Sequence, residues 1–141
     1  MNAKELRIGN IIDAGNNTPS PVEWIMLDGN ICTSHGSGYE TEFDGIPLTE
    51  EWLIKLGFRC DENGNASLDV FDYIDEEDEK NIMSISFSKE RNREFEISIC
   101  EDEKDYSDII NVQYIFVKNI KHVHQLQNLY FALTGEELTI K

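Results

Sequence analysis

The chain has 141 residues, 40% of them hydrophobic and 28% charged, which suits one globular domain spanning 1–141. Its 28 acidic residues face 12 Lys and Arg residues, and the net charge of −16 argues against direct binding to nucleic acid or to anionic membranes. The three cysteines form no CxxC pair and the start MNAKELRIGN has no apolar signal core, so we expect a reducing, cytoplasmic setting without a membrane span.

Alternating and turn-forming residues predict short strands in the first third of the chain. The predicted strands are 6–12, with a kink or divided in two, then 22–27, and 31–33 after a hairpin turn at Asp28-Gly29. Residues 34–45 are rich in Gly and Ser and predict a longer, mobile loop.

Local signals predict a short helix at about 49–56. Thr49 is the expected N-cap, and acidic residues follow it in the first turn, where the helix dipole favours them. Gly57 is expected to end the helix in a left-handed conformation, with Phe58 closing over it.

A β-rich region follows the short helix. Its alternating pattern predicts strands at 68–74, with a bulge between Val70 and Phe71, and an antiparallel hairpin of 83–88 with 94–99. The segment 112–117 is apolar on both sides, which predicts a central strand, and 138–140 predicts a last one. The predicted fold is therefore α+β: a mainly antiparallel sheet with one long C-terminal helix packed on it and the short helix at an edge.

The C-terminal helix is expected at about 120–134, with Asn119 as its N-cap and Gly135 as its stop. One apolar stripe should face the sheet: Val123, Leu126, Tyr130 and Leu133. A second stripe lies on another side of the helix: His124, Gln127, Asn128 and Phe131. Because 122–134 contains no charged residue, we expect this second stripe to be covered too, either by the protein's own loops or by a partner or dimer contact.

The acidic residues are concentrated in 61–108, which holds 17 of the 28 acids and five of the 12 basic residues, a local net charge of −12. Two runs flank predicted strands and are expected to be loops: Asp75, Glu76, Glu77, Asp78 and Glu79, and then Glu101, Asp102 and Glu103. They are either solvated loops that aid solubility or an acidic surface that occupies a basic groove, as nucleic-acid mimics do.

The segment 61–72 partly fits a calcium-binding loop. Oxygen-bearing side chains stand at the ligand positions: Asp61, Asn63, Asn65, Asp69 and Asp72. Ala66 replaces the glycine of the sharp turn, and Asp72 replaces the bidentate glutamate. An Asn-Gly hairpin turn explains the segment better, so no tight metal site is expected.

Catalytic motifs are absent from the sequence, which lacks GxSxG, P-loop, HExxH and GxGxxG patterns. His35 lies in the Gly/Ser loop and is either an exposed side chain or a base. His122 and His124 are two residues apart on the predicted helix, so they are expected to point to different sides. We assign no catalytic residue and expect no cofactor.

Three segments together resemble a known family: ELRIGN at 5–10, IPLTEEWLIKLGF at 46–58 and HVHQLQNLYFALTGEEL at 122–138. The chain resembles a family of small uncharacterised proteins from gut Bacteroidetes and from their phages and mobile elements. The three segments cover about a quarter of the chain, and the last is the most specific. The resemblance implies a phage or mobile-element setting and brings no activity with it.

The leading functional hypothesis is a non-enzymatic interaction protein, a phage or mobile-element accessory factor that acts through contacts with another protein. One alternative is an acidic nucleic-acid-mimic inhibitor of a basic host protein. A further alternative is a small hydrolase or metal-binding protein that uses His35, His124 or a carboxylate cluster. A deep pocket favours the enzyme, whereas an exposed apolar patch favours binding.

Overall fold

A computed structural model describes residues 2–74, 80–88, 94–102, 112–117 and 120–141, with the backbone alone for 71–74, 80–82, 94–102 and 112–116. The α+β class is confirmed: every strand pair in the described residues is antiparallel, and two α-helices accompany the strands. The elements in chain order are β1 Ile11–Asp13, β2 Pro19–Ile25, β3 Asn30–Thr33, β4 Gly36–Tyr39, α1 Glu50–Lys55, β5 Arg59–Cys60, β6 Ala66–Ile74, β7 Lys80–Ser88, β8 Glu94–Asp102, β9 Val112–Val117 and α2 Val123–Thr134.

The chain divides into two compact units, each made of two stretches of sequence. The first unit comprises Met1–Leu48 and Lys121–Thr139, and the second comprises Thr49–Ile120 and Ile140–Lys141. In the described residues, the first unit holds the sheet β1-β2-β3-β4 and helix α2, and the second holds the sheet β5-β6-β7-β8-β9 and helix α1. A single domain spanning the whole chain stays a prediction.

The core of the first unit is built from the inner faces of its strands and from the segments that flank them. Its buried cluster consists of Ala3, Leu6, Ile12, Val22, Ile31 and Phe43, with Ala14 and Ile25 packed against it. Helix α2 lies against β1 and buries Val123 and Leu126 completely, while Tyr130 and Leu133 are half-buried. The predicted apolar stripe is therefore covered most fully at its N-terminal end.

The strand predicted over 6–12 is present only from Ile11 onward. Before it the chain forms a 3-10 helix, Ala3–Glu5, whose first turn is capped by the Asn2 side chain. The strand pattern failed because Leu6 is buried as part of the core cluster, whereas Ile8 is exposed in a turn.

The segment 34–45, predicted as a loop, contains β4 and a second 3-10 helix, Glu40–Glu42. Strand β4 pairs with β3 along its whole length. The turn between them is closed by the Thr33 hydroxyl, which accepts from the His35 N–H (3.2 Å) and donates to the Gly36 carbonyl (3.1 Å). Gly and Ser residues form no alternating apolar pattern, so this strand could not be predicted from hydrophobic periodicity.

Helix α2 begins at Val123, three residues later than the predicted start at 120. The Val123 N–H donates to the Ile46 carbonyl (3.0 Å), and Pro47 and His122 form an antiparallel bridge. This pairing holds the chain extended up to His122, which becomes the N-cap. The predicted N-cap, Asn119, lies outside the described residues.

The C-terminal end of α2 agrees with the prediction. Gly135 follows the helix with a φ of +76°, and its N–H donates to the Phe131 carbonyl (2.8 Å). The strand predicted at 138–140 is absent, because the Leu138 carbonyl accepts a hydrogen bond from the Gln127 side chain (3.0 Å) instead of a strand partner.

The second unit confirms the predicted bulge and hairpin. The pairing of β6 with β7 shifts by one residue between Asp69 and Phe71, where the alternation of the sequence breaks. Strands β7 and β8 pair over nine residues without a shift. Strand β9 is at the end of the described sheet rather than in its centre, because apolar residues on both faces indicate covered faces and do not fix a strand's position.

Helix α1 has the predicted boundaries in detail. The Thr49 hydroxyl accepts from the Trp52 N–H (3.4 Å) at the start. At the end, the Phe58 N–H donates to the Leu53 carbonyl (3.0 Å) and the Gly57 N–H donates to the Ile54 carbonyl (2.9 Å), the pair of bonds that defines a Schellman motif. Gly57 has a φ of +90°, which an L-residue with a side chain rarely adopts.

We expect Gly57→Val to lower the free energy of unfolding by roughly 1 kcal/mol or more, because valine is strained at this φ and its Cβ would meet the Lys141 side chain at 2.8 Å. Thr49→Ala should cost about 1 kcal/mol through loss of the cap. Urea unfolding measures both. Ile54→Ala, at a half-exposed position of the same helix, is the control, and a Gly57→Val midpoint equal to wild type would contradict the motif.

Candidate functional site

The second stripe of α2 faces the N-terminal segment of its own unit. The Gln127 Oε1 accepts from the Ile11 N–H (2.8 Å), and the Asn128 Nδ2 donates to the Glu5 carbonyl (2.6 Å). His124 and Gln127 are buried, whereas Asn128 is half-buried. Residues 5–11 thus cover much of this side of the helix.

Phe131, the last member of the second stripe, lies beneath a cation. The Arg7 guanidinium carbon is 3.4 Å from the centre of the Phe131 ring, and Arg7 also pairs with Glu137 (2.7 Å). A guanidinium over an aromatic face is a stabilising arrangement. Phe131 is therefore half-buried by its own chain.

The acidic runs fall largely outside the part of the chain that the structure describes. Asp75, Glu76, Glu77, Asp78, Glu79 and Glu103 are all outside it. The expectation that Glu101 and Asp102 belong to a loop is wrong, because they are the last residues of β8 and pair with Asn81 and Lys80. The hairpin continues in register to its end, so both acids stand on a strand.

The candidate calcium ligands are used within the second unit. The Asp61 Oδ1 accepts from the N–H groups of Asn63 and Asn65 (2.9 Å each), and its Oδ2 accepts from the Asn65 Nδ2 (3.0 Å). These bonds, the side-chain one first, lower the pKa of the Asp61 carboxyl. Asp69 pairs with Arg59 (2.6 Å), and the side chain of Asp72 lies outside the described residues.

His35 is exposed and its Nδ1 lies within hydrogen-bond distance of the Ser20 and Ser34 hydroxyls. No carboxylate orients the ring in the hydrogen bonds of the described residues, so His35 lacks the third group that would complete a catalytic triad. Nor does any group of three or more His, Cys, Asp or Glu side chains in the described part of the chain adopt an arrangement that would hold a metal ion.

The expectation that His122 and His124 point to different sides is wrong. Their rings are stacked, with centroids 5.5 Å apart and planes inclined by 13°. The cause is the later start of α2: His122 has an extended backbone, with φ −126° and ψ 154°, so it does not follow helical spacing. Gly45 packs against both rings, since a Cβ there would lie 2.8 Å from His122 and 3.0 Å from His124.

These histidines line a cleft of the first unit with a volume of about 450 Å³, here named the histidine cleft. Its lining consists of Glu5, Asp13, Asp44, Gly45, Pro47, His122, His124 and Gln125. His124 is 1% exposed, and neither of its ring nitrogens has a hydrogen-bond partner among the described residues. Burial, and then the neighbouring His122, lower the pKa of His124 from 6.5 to about 4, so its ring is neutral at pH 7.

Stability should depend on pH through His124. Because folding lowers the pKa of His124 from 6.5 to about 4, the unfolded chain binds more protons than the folded chain between these pH values. The free energy of unfolding should therefore fall as the pH drops below 6.5, by about 2 kcal/mol between pH 7.5 and 5 from this group. Urea unfolding at the two pH values tests this.

His124→Gln should lose that part of the pH dependence, whereas His35→Gln, at an exposed histidine, should retain it. The two variants differ only in which histidine is replaced, so the difference in pH dependence between them isolates His124. Equal pH dependence in the two variants would show that the His124 ring is not neutral by burial.

A second feature of the first unit is a set of exposed apolar side chains on β2, on β4 and in the turn that follows β2. Four of the seven large hydrophobic side chains exposed in the described residues belong to it: Trp24 (67% exposed), Met26 (51%), Leu27 (111%) and Tyr39 (57%). We call these four residues the exposed face. Patches of this kind mark interaction sites more often than scattered single side chains do.

A bulge in β2 creates the exposed face. Val22 pairs with Thr33 and points inward, but the register then shifts, so that Trp24 pairs with Cys32. Regular alternation would place Trp24 on the same side as Val22, and the extra residue, Glu23, turns it to the outside.

Charge distinguishes the surroundings of this face. Residues 8–54 contain eight acids and no Lys or Arg, and 11–44, which hold β1 to β4, contain six of those acids. The predictions about charge centred on 61–108 and did not include this segment. The sequence shows it as a run of 47 residues without Lys or Arg that contains two tryptophans and a tyrosine.

No helix in the described residues combines the length and the apolar character needed to cross a membrane. No protein-family model, curated protein or solved structure matches the chain.

Proposed function

We propose that this protein is a non-enzymatic interaction protein that binds another protein through the exposed face. The observation that carries the proposal is the exposure of Trp24 on β2, of Tyr39 on β4, and of Met26 and Leu27 in the turn after β2. Trp, Tyr and Met are enriched in protein interfaces, and Trp and Tyr are frequent hot spots. Keeping such side chains in water is unfavourable, and a partner would cover them.

The partner that fits this surface carries Arg and Lys around an apolar centre. The six acids of 11–44 face no basic residue within that segment, so a cationic surface would be attracted to it. Arg or Lys side chains would also be stabilised over the rings of Trp24 and Tyr39.

A second copy of this chain fits less well. An isologous contact would place the acidic segment 11–44 against itself, and like charges that meet across an interface oppose association. Nucleic acid is disfavoured for the same reason. The resemblance of segments 5–10, 46–58 and 122–138 supports a phage or mobile-element accessory factor as the setting of this interaction.

The test is an affinity comparison with three baits: wild type, Trp24→Ala and Ile54→Ala. Proteins captured by wild type from a host lysate are purified, and their dissociation constants are measured at low and high salt. We expect a basic partner whose Kd rises at least about tenfold for Trp24→Ala and at high salt, because a hot-spot aromatic and exposed charges both contribute.

Ile54→Ala removes an equally exposed apolar side chain from the second unit and should leave the Kd unchanged. Sedimentation velocity of the protein alone tests the competing assembly. If the wild-type protein self-associates and Trp24→Ala abolishes this, the partner is a second copy of the chain and not a basic protein. If the captured proteins bind Trp24→Ala as tightly as wild type, and bind at high salt as tightly as at low salt, the proposal is refuted.

A further inference from the structure

The histidine cleft contains a polar side chain that the fold leaves unsatisfied. His124 is almost fully buried, yet neither Nδ1 nor Nε2 has a partner within the described residues. Buried polar groups in folded proteins are nearly always hydrogen-bonded, so such an exception requires an explanation. Because His124 lines an open cleft, a molecule that enters the cleft could supply the missing partner.

Gly45 leaves room for the ring pair at the wall of the cleft. Any side chain at this position would start 2.8 Å from the His122 ring and 3.0 Å from the His124 ring, closer than real Cβ atoms approach their neighbours. The stacked rings thus present a flat polar wall that depends on the glycine. The volume of about 450 Å³ is in the range of small-ligand sites.

The charged residues that line the histidine cleft indicate which kind of ligand it would bind. Three carboxylates line the cleft, Glu5, Asp13 and Asp44, and no Lys or Arg does. Asp13 uses its Oδ1 for the N–H groups of its own turn (2.9 Å each), whereas in the described residues the Glu5 and Asp44 side chains form neither a hydrogen bond nor an ion pair. The N-terminus of α2 contributes about half a positive charge, which is small against three carboxylates. The cleft therefore favours a cation.

An organic cation fits better than a metal ion. The described residues contain no group of three donors arranged around one point, and the cleft is much larger than a bare ion. A guanidinium group is planar, can stack on an imidazole wall and presents several N–H donors in a fork. One N–H group of the guanidinium can donate to a neutral imidazole nitrogen while other N–H groups donate to a carboxylate. The bonds to the carboxylate are strengthened because both partners are charged.

We propose that the histidine cleft binds a guanidinium group, with His124 as a hydrogen-bond acceptor, the free Glu5 and Asp44 carboxylates as counter-ions and the stacked His122–His124 pair as the wall. The same chemistry is offered by a free guanidino compound and by an arginine side chain of a protein. This site is separate from the exposed face, since no residue belongs to both.

The experiment follows the imidazole signals of His122 and His124 by NMR during titration of the full chain with agmatine, with a capped arginine derivative, and with zinc chloride alone. We expect saturable shifts of both rings with the guanidinium ligands. Asp44→Asn should weaken binding at least about tenfold, because it removes the charge of the pair. Glu136→Gln, at an exposed acid of the same unit, should not weaken it.

Tighter binding of agmatine identifies a free guanidino compound as the ligand, and tighter binding of the capped arginine identifies a protein side chain. The amide spectrum of Asp44→Asn verifies that the variant is folded. If it is not folded, Gly45→Ala provides the second test, since its methyl group enters the space of the rings and should also abolish the shifts. Ring shifts with zinc alone, or none with either guanidinium ligand, would overturn the proposal.

Discussion

Leu126→Ala should lower the free energy of unfolding by about 2–5 kcal/mol, the usual range for a leucine truncated in a core. Leu126 belongs to the apolar stripe of α2 and is completely buried, as is Val123 of the same stripe. The loss combines the transfer of the removed carbon atoms to water with the cavity that they leave behind. Urea unfolding with an unchanged m-value provides the measurement.

Leu27→Ala is the matched control, because it deletes the same atoms at a position that is 111% exposed. We expect its effect to stay within about 0.5 kcal/mol, as for ordinary surface substitutions. If both leucine variants unfold at the same urea concentration, Leu126 does not belong to the core and α2 packs differently from the description above.

Gln127→Leu should lower the free energy of unfolding nearly as much as Leu126→Ala does, although it places an aliphatic residue of similar size in a buried position. Gln127 is 2% exposed, and its amide accepts from the Ile11 N–H (2.8 Å) and donates to the Leu138 carbonyl (3.0 Å). Leucine leaves both backbone groups without this partner, and each unsatisfied buried group costs about 1–3 kcal/mol. Urea unfolding measures the decrease in the free energy of unfolding.

Asn128→Leu is the control for this change, since Asn128 also bonds to the N-terminal segment, at the Glu5 carbonyl (2.6 Å), but its side chain is only half-buried and this bond is open to water. Water can replace that bond, so the loss should stay within about 1 kcal/mol. A Gln127→Leu variant as stable as wild type would mean that Gln127 does not join β1 to α2.

Local signals allowed α1 to be predicted almost residue by residue. Thr49, Gly57 and Phe58 act on backbone groups within one turn of themselves, so no distant contact can change the outcome. The bulge in β6 was visible for a related reason, because it interrupts an alternation that the sequence displays directly. The start of α2 was predicted too early, since pairing with the distant segment around Pro47 sets it.

The candidate sites, like the start of α2, depend on pairings between distant segments. The stacking of His122 on His124 follows from the delayed start of α2, and the outward position of Trp24 follows from a bulge that no sequence pattern announces. Both require knowledge of the pairing between segments far apart in the chain. The absence of charge on α2 was informative but left two explanations open, and only coordinates show that residues 5–11 cover the second stripe.

The discontinuity of the first unit has a consequence for synthesis on the ribosome. The Ile11 N–H and its acceptor on Gln127 are 116 positions apart, and the chain between them includes most of the second unit. Residues 49–120 can therefore begin to associate while β1 to β4 still lack α2, because a nascent chain lengthens by only about 5–20 residues each second. Until Gln127 emerges, the Ile11 N–H lacks its acceptor, and the apolar side of β1 lacks the helix that covers it. The first unit is thus completed only after residues 49–120 of the second unit have been synthesised, and the nascent chain must keep its N-terminal sheet from aggregating for several seconds.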